Sequence, residues 1–280
     1  MRRFSFKQVD VFSAVALKGN PLAVVLDAVG VGDAEMAALA HWTNLSETTF
    51  LLPPTDARAD YRVRIFTPER ELPFAGHPTL GSCHAWLAAG GVPKSAEVVQ
   101  ECGVGLIRIR RDGDRLAFAA PPLIRSGAVE PSVVATIARG IGLDASSIKA
   151  ARWADNGPGW VAAMLGSRAE LLAVKPDYAR LDGLKLGLVA PWDPAVDGPD
   201  AQFEVRALIA GVPPKEDPVT GSLNAAIAQW LIGDGLAPDS YVASQGTVLG
   251  RAGRVFVDRK GPDIWIGGHS ITVVDGSIAV

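Results

Sequence analysis

Two stretches of this chain repeat each other about half a chain length apart. The first runs Val63-Arg64-Ile65-Phe66-Thr67, then Glu71-Leu72-Pro73-Phe74-Ala75-Gly76-His77-Pro78-Thr79, and closes at Trp86-Leu87. The second runs Val205-Arg206-Ala207-Leu208-Ile209, then Gly211-Val212-Pro213-Pro214-Lys215-Glu216-Asp217-Pro218-Val219-Thr220-Gly221-Ser222, and closes at Trp230-Leu231. Each is a strand-like run, a Pro-rich turn and a helix-like run. The pattern predicts two similar halves facing each other. A cleft between such halves offers one acid/base group to each face of a bound substrate, which suits proton movement at carbon.

Composition sets the limits around that reading. With 280 residues, 48% hydrophobic and 20% charged, the chain is long enough for two cores of ordinary domain size. A net charge of −3 and a pI near 5.8 argue against a nucleic-acid partner, and Arg108-Ile109-Arg110-Arg111 reads as the polar face and end of a strand. The N-terminal residues alternate polar and apolar, without the apolar run of a signal peptide, and no run of about 20 apolar residues occurs. A cytoplasmic protein with no membrane partner is the expectation. Cys83 and Cys102 are the only cysteines, too few for a disulfide framework and not in metal-binding spacing; both read as small buried apolar residues. His41, His77, His84 and His269 are scattered, and no phosphate-binding glycine loop is present, so neither a metal nor a nucleotide cofactor is expected.

Period-2 alternation and short apolar runs predict strands over 4–12, 23–26, 48–52, 61–66, 98–101, 106–110 and 116–118, with a hairpin turn at Asp112-Gly113-Asp114. Helices are predicted over 34–42, with Asp33 as its N-cap, and over 79–89, apolar enough to be buried all round. The first half therefore reads as a curled sheet around a central helix. A change of composition near Pro121-Pro122 suggests a linker up to Pro131. Beyond it, helices are expected over 133–140 and 221–232, and strands over 159–165, 184–189, 204–209, 241–244, 255–258, 264–266 and 271–274.

The reactive residues gather at the repeated turns. Gly221 and Ser222 are placed in the open first turn of a helix, whose N–H groups and dipole favour an anion such as a carboxylate. The matching turn holds Gly76, which permits close backbone approach; His77, able to donate to a substrate or to move a proton near pH 7; and Pro78, suited to the first helical position. The plainer alternative makes Asp217 and Thr79 helix caps and His77 a turn residue. Glu47, between a helix end and the apolar Phe50-Leu51-Leu52, is expected to be partly desolvated, which raises a carboxyl pKa toward the range of general acid/base work; an exposed strand-start glutamate is the alternative. Asn20, in Lys18-Gly19-Asn20-Pro21, either binds a ligand or closes a loop. Arg251 offers a guanidinium for a carboxylate, or lies on the surface. His84 is expected in the core.

Gly19-Asn20-Pro21, Asn44-Leu45-Ser46-Glu47-Thr48-Thr49-Phe50, Glu71 to Thr79, Glu216 to Ser222 and Gln245-Gly246 together resemble the signature of the phenazine-biosynthesis isomerase (PhzF-like) family, in order and over nearly the whole chain. The resemblance implies a diaminopimelate epimerase-like α+β fold. Its two pseudo-symmetric domains would each be a barrel-like sheet around a central helix, near 1–122 and 123–270, with strand 271–280 crossing back to the first and the active site between them. It implies a cofactor-independent isomerase and a homodimer. Carried over by position, Glu47 would move a proton between carbons, while His77, Asp217 and Ser222 bind and polarise the substrate, helped by Gly76 and Gly221. Diaminopimelate epimerase carries cysteines at the two helix N-termini. The turns here hold Ala75-Gly76 and Asp217-Pro218, so carboxylate chemistry fits better than a thiol pair. The Gly250-Arg251-Ala252-Gly253 segment departs from many relatives. The expected substrate is a small carboxylate. The alternatives are an amino-acid racemase or epimerase using Glu47 and Asp217, or a non-catalytic binding protein.

Overall fold

The structure, a computed structural model, describes residues 2–211 and 215–280, so Val212, Pro213 and Pro214 of the second repeated turn lie outside the described residues. The chain divides into two compact units, Met1–Ala119 with Gly267–Val280, and Ala120–Ile266.

In the first unit the strands are β1 (Arg3–Val11), β2 (Asn20–Val25), β3 (Thr48–Leu52), β4 (Tyr61–Phe66), β5 (Glu71–Leu72), β6 (Val98–Cys102), β7 (Gly105–Asp112) and β8 (Arg115–Ala119), with helices α1 (Asp33–Thr43) and α2 (Gly76–Ala88). β1 pairs with β2, β2 runs parallel to β3, β3 pairs with β4, β4 runs parallel to β6, and β6, β7 and β8 follow antiparallel. The C-terminal strand, β17 (Asp263–Ala279), pairs with β1 through Ser270–Ala279 and also with β8, which closes eight strands into a barrel. Closure removes the sheet edges that would otherwise be left unpaired.

α2 packs against β1, β2, β3, β6 and β8, the inner face of that barrel. Its sequence explains why: Gly-His-Pro-Thr-Leu-Gly-Ser-Cys-His-Ala-Trp-Leu-Ala has no strongly polar face, and small residues let it sit close to the strands. A Cβ at Gly81 would stand 2.6 Å from Leu22 Cδ2 and 2.8 Å from Val11 Cγ2, so nothing larger than glycine fits there. On the other side of β2 and β3, Met36, Leu39 and Ala40 of α1 pack with Val25, Phe50 and Phe66. Sandwiched between two helices, β2 and β3 are buried on both faces, the usual condition of parallel neighbours.

The second unit repeats this order. Strands β9 (Arg125–Ala128), β10 (Ala150–Asp155), β11 (Trp160–Met164), β12 (Lys185–Pro191), β13 (Phe203–Ile209), β14 (Glu216–Asp217), β15 (Ser240–Gln245) and β16 (Gly253–Lys260) accompany helices α3 (Pro131–Ile141), α4 (Arg168–Ala173), α5 (Pro194–Asp197) and α6 (Gly221–Gly233), and β17 (Asp263–Ala279) starts in this unit and belongs to the first from Gly267 on. Pairings β10–β11 antiparallel, β11–β12 parallel, β12–β13 antiparallel, β13–β15 parallel and β15–β16 antiparallel reproduce β1–β2, β2–β3, β3–β4, β4–β6 and β6–β7 sense for sense. α6 packs on β10, β11 and β16 as α2 does in its own unit. The chain therefore has the α+β, epimerase-like architecture that the repeat and the family signature implied.

Several expectations need correction. Residues 125–128, read as linker, form β9, antiparallel to β10. The strands expected over 264–266 and 271–274 are one continuous strand, β17, because Gly267-Gly268 stays extended instead of turning. Asp33 is not the N-cap of α1. Gly32 is, and its N–H donates to Glu35 Oε2 at 2.8 Å, while Asp33 pairs with Arg64 from the first turn. The hairpin at Gly113-Asp114 is present between β7 and β8. Among the described residues, no helix is long and apolar enough to cross a membrane.

Candidate active site

The first unit places three predicted residues in one chain of contacts. α2 begins at Gly76, with Ala75 as a cap that makes no side-chain hydrogen bond. His77 therefore lies in the first helical turn and not in a turn before it, and Pro78 is the third helical residue and not the first. Pro78 loses nothing there, because N–H groups of the first turn have no carbonyl partner in any case. His77 is 4% exposed. Its Nδ1 lies 3.4 Å from Asn20 Nδ2, and its Nε2 lies 3.5 Å from Glu47 Oε2. An amide nitrogen only donates, so Nδ1 is the acceptor and the proton of a neutral imidazole sits on Nε2, facing Glu47.

Burial holds His77 neutral, with its pKa pushed down to about 3; the positive end of α2 acts in the same direction. Of the two roles expected of the His77 imidazole, donating to a substrate or moving a proton near pH 7, this burial favours the first. Glu47 precedes β3, after α1 ends with Asn44 in the left-handed conformation at φ 52°, and its side chain is 15% exposed. It is shielded, not the exposed strand-start residue of the alternative reading. Asn20 opens β2 and is fully buried.

In the second unit the helix-cap reading of Asp217 fails. The N-cap of α6 is Thr220, and Asp217 accepts instead from Thr220 Oγ1 at 2.5 Å. Gln245 ties the turn down: Oε1 accepts from the Thr220 N–H (3.0 Å) and Asn224 Nδ2 (2.8 Å), while Nε2 donates to Asp217 O (3.1 Å) and Thr220 Oγ1 (3.0 Å). Gly221 and Ser222 are the first two residues of α6, so their N–H groups belong to the open turn. The Ser222 hydroxyl accepts from Trp160 Nε1 (3.1 Å), and its carbonyl accepts from Asn156 Nδ2 (2.9 Å). Asn156 and Trp160 carried no spacing signal in the sequence.

Thr79 does not cap α2 either; its hydroxyl donates back to Ala75 O. Arg251 follows a short 3-10 turn, with its N–H on Gly246 O. His84 is half-buried, its Nε2 3.0 Å from Thr272 Oγ1, and is not a core residue. Cys83 is fully buried while Cys102 is partly exposed. Cys83 lies in the body of α2, and the N-cap positions of α2 and α6 hold alanine and threonine.

Comparison with known proteins bears on the family and the fold. A family model described as phenazine biosynthesis-like protein matches residues 9–276. Antisense-enhancing sequence 1 of Schizosaccharomyces pombe is 36% identical over 297 residues, covering 99% of both chains. Trans-2,3-dihydro-3-hydroxyanthranilate isomerase of Pseudomonas fluorescens is 30% identical over 294 residues, covering 97% of this chain and 98% of its own. The crystal structure of a PhzF-family phenazine biosynthesis protein from Enterococcus faecalis superposes with a TM-score of 0.83 at 24% identity over 100% of both chains. A match over nearly all of the sequence, with the same fold and homologues named as isomerases, means that this chain belongs to the phenazine biosynthesis-like protein family and is an isomerase of that family.

Proposed function

We propose that this isomerase works without a cofactor, and that Glu47 moves a proton between carbons of a small carboxylate substrate. The observation that carries the reading is the approach of Glu47 Oε2 to within 3.5 Å of Nε2 of the buried His77. The Glu47 carboxylate takes a proton from one carbon, the electron pair moves along the adjoining unsaturated system, and the same carboxyl returns the proton to another carbon. Atoms and charge balance without any added group. A neutral donor beside the carboxylate orients it without becoming a competing acid. In the second unit Asp217, Ser222 and the N–H of Gly221 are assigned to polar groups of the substrate, and Gly76 and Asn20 of the first unit serve the same binding role.

Asp217 and Glu47 as a two-sided racemase pair is the runner-up, and a binding protein of the same fold is the third reading. A substrate with a hydroxyl and an amine beside its carboxylate, such as the dihydro-hydroxyanthranilate named for the Pseudomonas relatives, is the first compound to test. The decisive comparison is wild type against Glu47→Gln by calorimetry and turnover together. The proposal requires binding within about threefold and a loss of turnover of at least ~100-fold. Equal turnover in the two proteins would remove Glu47 from the chemistry. Binding with no turnover in either would favour the non-catalytic reading.

A further inference from the structure

We propose that Asp10 is a positioning residue for the reaction: through the turn before Asn20 it fixes which nitrogen of His77 carries the proton. The inference rests on the role given above to Glu47 and extends it to a residue outside the family signature. Asp10 lies in β1, opposite Pro21 of β2, and is 2% exposed. Its Oδ2 accepts two backbone hydrogen bonds, from Lys18 N at 2.9 Å and Gly19 N at 2.8 Å. Its Oδ1 is shielded and takes no hydrogen bond among the described residues. Among the described residues, the hydrogen bonds to this carboxylate all come from this turn.

The turn needs such a clamp. The chain leaves β1 through Phe12, fully buried at φ 66°, and returns through Leu17 at φ 67°, a left-handed conformation that residues with a Cβ avoid. At Gly19 a Cβ would stand 2.1 Å from Val11 O, so the returning strand lies against the departing one with no slack. Asn20 comes next, and its Nδ2 meets His77 Nδ1 at 3.4 Å. Backbone held at Lys18 and Gly19 therefore sets the Asn20 amide, the amide makes Nδ1 the acceptor, and Nε2 is left to carry the proton toward Glu47. Strained backbone of this kind persists where its surroundings over-determine it, and it concentrates at functional sites. Metal-bound histidines show the same logic, the partner of one ring nitrogen deciding the state of the other.

The test is long-range ¹H–¹⁵N NMR of the His77 imidazole in wild type, Asp10→Asn and Asn20→Ala, alongside steady-state kinetics where turnover is found. The proposal predicts a single Nε2–H tautomer at pH 7 in the wild type and a mixture in both variants. For Asp10→Asn it also predicts turnover lowered roughly tenfold to a hundredfold with KM changed much less, whereas Asn20→Ala, which also loses a substrate-binding group, is read by its tautomer alone. A wild-type Nδ1–H tautomer overturns the proposal, as does an unchanged tautomer in a folded Asp10→Asn. If Asp10→Asn does not fold, Asn20→Ala and the wild-type tautomer still decide whether the amide sets the ring. Because the tautomer is read without substrate, failure of this inference is separable from failure of the Glu47 assignment.

Discussion

Arg206 holds Glu216 with two hydrogen bonds, Nε to Oε1 and Nη2 to Oε2, each 2.9 Å long. The first unit has the same device, Arg64 on Glu71 through Nε and Nη2 at 2.7 Å each. Both tie the strand before the central helix, β4 or β13, to the two-residue strand that follows it, so the internal repeat extends to an ion pair. The environments differ: Arg206 and Glu216 side chains are 4% and 9% exposed, against 24% and 41% for Arg64 and Glu71. Arg206 also donates to Leu171 O and Val174 O, so it stays buried if its partner is lost.

Glu216→Gln is accordingly expected to cost about 3–5 kcal/mol, the penalty for an uncompensated buried charge. Glu71→Gln is expected to cost about 1 kcal/mol or less, as for exposed pairs. Urea unfolding of the two variants checks the contrast, and equal losses would mean that burial does not separate the two pairs.

The state of His77 makes stability depend on pH. Its folded pKa, about 3, lies below its unfolded value of about 6.5, so the unfolded chain binds the extra proton first. The contribution is fully present above pH 6.5 and is lost as pH falls toward 3, with a slope of up to about 1.4 kcal/mol per pH unit. Half-buried His84, whose pKa is also lowered by burial, adds in the same direction. Denaturation midpoints for wild type and His77→Gln between pH 4 and 7 should converge at the acid end; parallel curves would refute a buried neutral imidazole.

Gln245→Leu should destabilise the second unit by at least about 2 kcal/mol, because it leaves the Thr220 N–H and the Asp217 carbonyl without their partner in a buried setting. Turnover should fall with it, since the same bonds hold the turn that carries Asp217 and Gly221. Retained activity at full occupancy of the folded state would argue that this turn does not serve the reaction.

Burial pushes the Cys83 thiol up to about 12, so almost none of it is thiolate at neutral pH. Native protein treated with a thiol reagent should leave Cys83 unmodified until denaturant is added. Mass spectrometry of the α2 peptide reports this directly, and rapid native labelling would contradict the packing of α2 inside its barrel.

What could be read from the sequence followed the strength of the local signal. α2 and α6 are long, apolar on all faces and bracketed by glycine, and β4 and β13 carry matching residues, so the repeat was legible. Gly76-His77-Pro78 read as turn because glycine and proline usually interrupt helices; only burial against the barrel shows that they begin one. β9, Arg-Ser-Gly-Ala with every side chain exposed, has no alternation to detect. Gly267-Gly268 imitated a turn inside β17. Asn156 and Trp160 reach Ser222 by tertiary folding, for which no sequence spacing exists. The ring tautomer of His77 depends on Asn20, fifty-seven residues away in sequence, and was equally invisible.

The central claim is that Glu47 shuttles a proton at carbon. The measurement that meets it most directly is NMR detection of deuterium at carbon when the enzyme, in D₂O, is given the dihydro-hydroxyanthranilate and a panel of small amino and hydroxy acids, beside Glu47→Gln. The account predicts deuterium at the carbon that gains the proton with wild type, and none above background with the variant. Incorporation that continues undiminished in Glu47→Gln would contradict it.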